Sequence, residues 1–151
     1  MEVHDEYVPE ELFSQFISQM PQFCVELIVD SEEGILLAKR DIEPSIWFWP
    51  GGRLYKGEEL DEAAHRIAEE ELGIEVQIRD RYGPYAHFWT DSPTTGSPSR
   101  HTVNSVFHVE PACAEYEISL DEQHSDYRFL TAVEDGLHEY VRLYLEDNDL
   151  L

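Results

Sequence analysis

The sequence predicts an α/β/α sandwich, a mixed and largely antiparallel sheet flanked by helices, in a single domain over residues 1–151. Three observations predict it. Apolar runs of strand length recur between turn residues, a helix-spaced segment interrupts them at 58–72, and a second helix-spaced segment closes the chain. Strands and helices do not alternate regularly, which argues against a repeating βαβ array.

The elements follow in order. Leu12, Phe13, Phe16, Ile17 and Met20 recur at helical spacing after Pro9, and Pro21 ends that helix. Residues 23–29 alternate as a strand, 30–34 make a turn and 35–39 form a second strand, together a hairpin. Residues 41–45 read as a loop. The apolar run 46–49 stops at the turn signal Pro50-Gly51-Gly52. In 58–72, Leu60, Ala63, Ala64, Ile67, Ala68 and Leu72 supply the apolar helix positions, and Gly73 stops the helix because glycine takes the left-handed conformation there. Strands are expected over 75–82, 85–89, 101–109 and 126–130, with a Ser/Thr/Pro/Gly-rich loop at 91–100. Val133, Leu137, Tyr140, Val141, Tyr144 and Leu145 share one face of a last helix.

Charge narrows the function. Thirty-three acidic residues against ten basic ones give a formal net charge of −23. Nucleic-acid binding relies on basic side chains that release counterions, so a nucleic-acid partner is not expected. The aromatic content of 12% argues against disorder. A dense acidic surface with only two lysines fits a halophilic protein, because ions screen its self-repulsion. No apolar run reaches about 18 residues, so no membrane span is expected. The N-terminus lacks the basic and apolar regions of a secretory signal, and Cys24 and Cys113 form neither a metal pattern nor a disulfide framework. A cytoplasmic location is expected.

The chemistry lies between Gly51 and Ile74. Gly52, Glu58 and Arg66 are followed by Glu70-Glu71 and Gly73-Ile74. A Gly-Gly turn leaves backbone carbonyls available. Positions 67, 70 and 71 share one side of the helix that follows, so carboxylates and a carbonyl converge as a hard divalent cation requires. Such an ion neutralises a diphosphate. The triplet Glu69, Glu70 and Glu71 alone reads equally as a solvated acidic face; the full spacing carries the argument.

This spacing resembles the Nudix box, and the resemblance implies a Nudix-type fold. Where the usual box has Arg-Glu, this chain has Arg66-Ile67, which removes one of three carboxylates from the metal face. The run Asp121-Glu122-Gln123-His124, continued by Asp126-Tyr127-Arg128 and Leu130, lies outside the box and resembles the GDP-mannose mannosyl hydrolase branch. So do Tyr82-Gly83 and His87-Phe88; the likeness covers about residues 23–131. Two positions depart from that branch. Glu26 stands where it has aspartate, and Thr102 where it has a tyrosine near the leaving phosphate.

The resemblance implies a homodimer that uses one Mg²⁺ per active site, or Mn²⁺ in its place, to cleave a nucleotide sugar such as GDP-mannose at the anomeric carbon. It implies Gly51 (carbonyl), Glu71 and Gln123 as metal ligands, and His124 as general base. Arg40 and Arg53 would hold the departing diphosphate, and Glu70 would orient the site. Glu26, Arg66 and His87 are further candidate substrate contacts, although Arg66 also suits a brace to Glu58, and His87 a structural role. Trp47, Trp49 and Trp89 belong to the core or rim, where a ring can stack on base or sugar. Two other readings stay open. One is an ordinary Nudix pyrophosphohydrolase acting on a nucleotide sugar, ADP-ribose or a nucleoside triphosphate, which the Glu70-Glu71 pair favours. The other is a non-catalytic nucleotide-sugar-binding protein, which Ile67 favours.

Overall fold

A computed structural model describes residues 1–42, 45–89 and 99–151; parts of the loops expected at 41–45 and 91–100 lie outside them. The helices are α1 (Glu10–Gln19), α2 (Leu60–Ile67) and α3 (Glu139–Asp147), with α2 continuing as a π-helical turn over Ala68–Leu72. The strands are β1 (Gln22–Ser31), β2 (Gly34–Arg40), β3 (Trp47–Phe48), β4 (Gly51–Arg53), β5 (Val76–Trp89), β6 (Arg100–Pro111) and β7 (His124–Leu130). They pair in the order β3-β2-β1-β6-β5, with β4 also on β1 and β7 also on β2. The β1–β6 pair is parallel and the others are antiparallel.

β1 and β2 are buried on both faces, which explains why their sequences are nearly continuous apolar runs. On one face Val25, Leu27, Leu36 and Ala38 pack with Ala63, Ala64 and Ile67 of α2. On the other, Ile28, Ile35 and Leu37 pack with Val141, Tyr144 and Leu145 of α3. At eight and nine residues, α2 and α3 are too short to be stable alone. Burying each Leu or Ile contributes roughly 1.5–3 kcal/mol, so packing on the sheet holds both helices in place. The predicted α/β/α sandwich with its largely antiparallel sheet is what the chain adopts. Among the described residues, no helix is long and apolar enough to cross a membrane.

Four local expectations change. Gly51–Arg53 is a strand rather than a free turn, because β1 pairs with it. α2 starts at Leu60 rather than at 58. The side chain of Glu58 is instead spent on the turn before the helix, where it accepts the Tyr55 N–H at 3.1 Å. The two strands expected over 75–89 are one strand, with register shifts at Ile78/Asp80 and Tyr82/Tyr85. Pro84 lacks a ladder donor, and the second irregularity accommodates it. Finally, Val133 and Leu137 pack on the α3 cluster from outside the helix, which begins at Glu139.

Candidate active site

Glu71 lies in the π-helical turn after α2, four positions after buried Ile67, and points inward. The Glu71 side chain is only 10% exposed, whereas that of Glu70 is 56% exposed and pairs with Arg66 at 3.1 Å. Ile67, Glu70 and Glu71 all line one cleft, so positions 67, 70 and 71 share a side as expected, with Glu71 at its buried edge and Glu70 at its exposed one. Gly73 ends the turn at φ 67°, the left-handed cap expected of it. Ile67 is buried in the core, so no carboxylate stands at that position of the helix.

β4 runs close to this turn. Leu27 donates to the Pro50 carbonyl at 2.8 Å, so the adjacent Glu26/Gly51 pair is a non-hydrogen-bonded one. Both polar groups of Gly51 consequently face away from β1, and its N–H donates to Glu71 Oε1 at 3.4 Å. A Cβ at position 51 would lie 2.9 Å from both Glu26 Cγ and the Val25 carbonyl oxygen, which is why glycine stands there.

The segment before β7 is tied across the π turn. Ser119 donates to the Leu72 carbonyl at 2.8 Å, Asp121 to that of Glu71 at 3.3 Å, and Asp41 to that of Gln123 at 2.7 Å. These bonds bring Asp121 and His124 beside Glu71. His124 Nδ1 lies 2.6 Å from Asp121 Oδ1, and its Nε2 lies 3.5 Å from Glu71 Oε1. A carboxylate on Nδ1 fixes the ring so that Nδ1 carries the proton and Nε2 keeps its lone pair. Gln123 is exposed, and it lines one open cleft with Gly51, Glu71 and Asp121.

Glu71, Asp121 and His124 offer ligand atoms within 4.8 Å of one another. Burial pushes the Glu71 carboxyl up to about 8, and the Asp121 charge adds to this against the Gly51 N–H and Arg40. Two neighbouring carboxylates of which one is buried, with a carbonyl turned away from its strand, fit a hard divalent cation; such an ion would reverse that elevation.

A second cavity of about 120 Å³ adjoins the cleft and shares Gly51, Gly52 and Arg53 with it. Its walls include Arg40, Arg100, Glu26, Trp49 and Trp89. Glu26 is buried and accepts the Tyr144 hydroxyl at 2.6 Å. Burial raises its carboxyl to about 7, although the Tyr144 bond and Arg40 act the other way. Arg53 stacks on the Tyr55 ring at 4.5 Å.

Two further candidate substrate contacts are engaged by other side chains of the protein. Arg66 donates to both Glu58 oxygens at 2.6 and 3.0 Å, to Glu70 and to the Arg53 carbonyl, so it braces α2 against β4. His87 is fully buried behind the cavity, 3.1 Å from the Tyr144 hydroxyl and stacked on Tyr140 at 3.7 Å. Burial lowers its imidazole to about 4, which keeps the ring neutral in the core. From the sequence, Asp121 is only the start of a motif, Tyr144 belongs to the core face of the last helix, and neither they nor Arg100 have an expected site role. For Asp121 a signal existed, since it stands three positions before His124. Arg100 and Tyr144 carry none, because their neighbours come from other strands and helices.

The sequence profile of the NUDIX domain matches residues 20–144. The chain belongs to the Nudix family. Among relatives of this Nudix protein, a Haloferax volcanii protein named low-salt glycan biosynthesis protein Agl8 is 35% identical over 144 residues, 94% of this chain and 91% of the other. An ADP-ribose pyrophosphatase of Methanocaldococcus jannaschii is 28% identical over 109 residues, 71% and 61% of the two chains. The crystal structure of a MutT protein from Methanosarcina mazei superposes with a TM-score of 0.70 at 22% identity, covering 87% of this chain and 95% of that one, and supports the Nudix fold.

Proposed function

We propose that this Nudix hydrolase cleaves a nucleoside diphosphate sugar, GDP-mannose or another GDP-hexose, at the anomeric carbon, releasing GDP and free sugar. The observation that carries this is the depletion of the metal face. With Ile67 in the core, α2 and its π turn offer two carboxylates to the cleft in place of three, and of these Glu70 is paired with Arg66 while Glu71 is not. That suits one ion better than the several that assist water attack on phosphorus. The name of the Haloferax relative, with glycan biosynthesis in it, supports a nucleotide-sugar substrate.

Gly51, Glu71 and Gln123 would hold the Mg²⁺ (or Mn²⁺), with Asp121 close enough to join them. The ion supplies positive charge to the diphosphate as negative charge grows on the leaving group. Mg²⁺ prefers oxygen donors, which leaves the imidazole of His124 for proton transfer. His124 Nε2 takes a proton from water as the water oxygen bonds to the anomeric carbon. The C–O bond breaks with its electron pair going to GDP, and Arg40 and Arg53 stabilise that charge. GDP leaves as an anion, so no acid is needed on its oxygen.

Phosphorus NMR of the products formed in ¹⁸O-water tests the reading. Label is expected in the sugar alone; label in phosphate means attack at phosphorus. That second outcome is the ordinary pyrophosphohydrolase, which the name of the Methanocaldococcus relative favours. The homodimer, the cytoplasmic location and adaptation to high salt belong to the same proposal. Leu12 and Phe16 of α1, with Met20 just after it, form an exposed apolar surface that a second copy would cover, and a monomer in sedimentation velocity would remove the dimer.

A further inference from the structure

Arg100 opens β6 beside the small cavity. Side chains two apart share a strand face, and Arg100, Thr102 and Asn104 all line that cavity. His101, between the first two, stacks on Phe88 at 4.6 Å.

The charge of the cavity is unusual for this chain. In a protein of net charge −23 with ten basic residues, three of them (Arg40 from β2, Arg53 from β4 and Arg100 from β6) converge on one small cavity. Glu26 is its one lining carboxylate among the described residues, and it is engaged by Tyr144. Arg40 and Arg100 are close enough to repel. Burial weakens the hold of Arg40 on its proton and the Arg100 charge weakens it further, while the Glu71 and Glu26 carboxylates act the other way. Two like charges held together in a half-buried wall repel each other, and an anion between them offsets that repulsion. Arg100 is also oriented: one terminal nitrogen donates to Gln22 at the start of β1, while its Nε is buried without a partner among the described residues.

We infer that Arg100 is a substrate-binding residue that, with Arg40, grips phosphoryl oxygens of the bound diphosphate from the β6 side of the cavity. A guanidinium suits this because its planar fork offers two parallel donors to two oxygens of a phosphate. The cavity adjoins the cleft of Glu71 and Asp121 through Gly51, Gly52 and Arg53, so a diphosphate at the join meets carboxylates on one side and arginines on the other. The assignment rests on the proposed reaction only for the identity of the group attached to the diphosphate.

Calorimetric titration with inorganic pyrophosphate, at fixed ionic strength with magnesium, tests it. Arg100→Gln should weaken pyrophosphate binding roughly 10- to 100-fold, the size of a lost charge-assisted contact. Arg79→Gln, which removes an exposed arginine paired with Glu110, should leave it within twofold. Arg100→Lys keeps the charge without the fork and should fall between wild type and Arg100→Gln, which also answers the question if the glutamine variant does not fold. The inference is overturned if the protein binds no pyrophosphate, or if both Arg100 variants bind it like wild type. If pyrophosphate binding depends on Arg100 but no GDP-hexose is hydrolysed, the anion site stands and the substrate assignment falls.

Discussion

His124 lies between two carboxylates with different tasks. Asp121 holds Nδ1 at 2.6 Å, and Nε2 faces the Glu71 side at 3.5 Å. His124→Gln should lower kcat by roughly 10²–10⁴-fold, the usual range for general acid–base catalysis. The magnesium concentration for half-maximal activity should change less than threefold. If kcat survives, the base is another group. Glu26 makes a different prediction, about stability. Its carboxyl sits at about 7 in the fold against an ordinary 4.5, chiefly through burial. Between those values the folded chain keeps a proton that the unfolded chain has released. Its contribution is therefore fully present below pH 4.5 and is lost as pH rises through 7. Glu26→Gln keeps an acceptor for Tyr144 and removes the ionisation. It should be more stable than wild type at pH 8 by up to about 3 kcal/mol, with the gap closing near pH 5. Parallel urea midpoints from pH 5 to 8 would refute this.

At the level of elements, Arg66 separates a brace from a binding residue. It ties Glu58, before α2, to the β4 backbone at Arg53, and it covers the Tyr55 ring at 3.8 Å. Burial pushes the Glu58 carboxyl up, but the bonds from Arg66 and the Tyr55 N–H outweigh it and hold the carboxyl below its usual range. Arg66→Ala should cost about 2–3 kcal/mol in urea unfolding, because Glu58 is left buried with its strong partner gone. GDP affinity at saturating magnesium should stay within about threefold; a larger loss at full folding would return Arg66 to the substrate. The same elements mark where the sequence was readable. The hairpin of β1 and β2, the helix over 60–72 and its Gly73 cap follow from local periodicity and glycine chemistry. β4 does not, because Gly51-Gly52 carries no strand preference until β1 pairs with it. The π turn was equally hidden, whereas the inward position of Glu71 follows the helical spacing that also buries Ala64, Ile67 and Ala68. Asp121 reaches Glu71 through backbone bonds between segments distant in sequence, which no spacing rule reports.

Over the whole molecule, the charge of −23 works against the compact state unless ions screen it. The screening length falls from about 10 Å at 0.1 M salt to about 3 Å at 1 M, comparable to contact distances. The two apolar clusters are insensitive to that screening except through general salting-out. The melting temperature should therefore rise by on the order of 10 °C between 0.1 M and 2 M KCl, equivalent to a few kcal/mol at this chain length. Salting-out and repulsion are separable. Changing Glu10, Glu11, Glu32, Glu69, Glu115 and Glu117 to glutamine removes six exposed charges spread along the chain. If repulsion is the cause, this variant melts higher than wild type at 0.1 M and gains less from added salt. If salting-out is the cause, the two salt dependences run parallel. A wild-type melt that does not move with KCl would instead mean that the acidic surface is not an adaptation to concentrated salt.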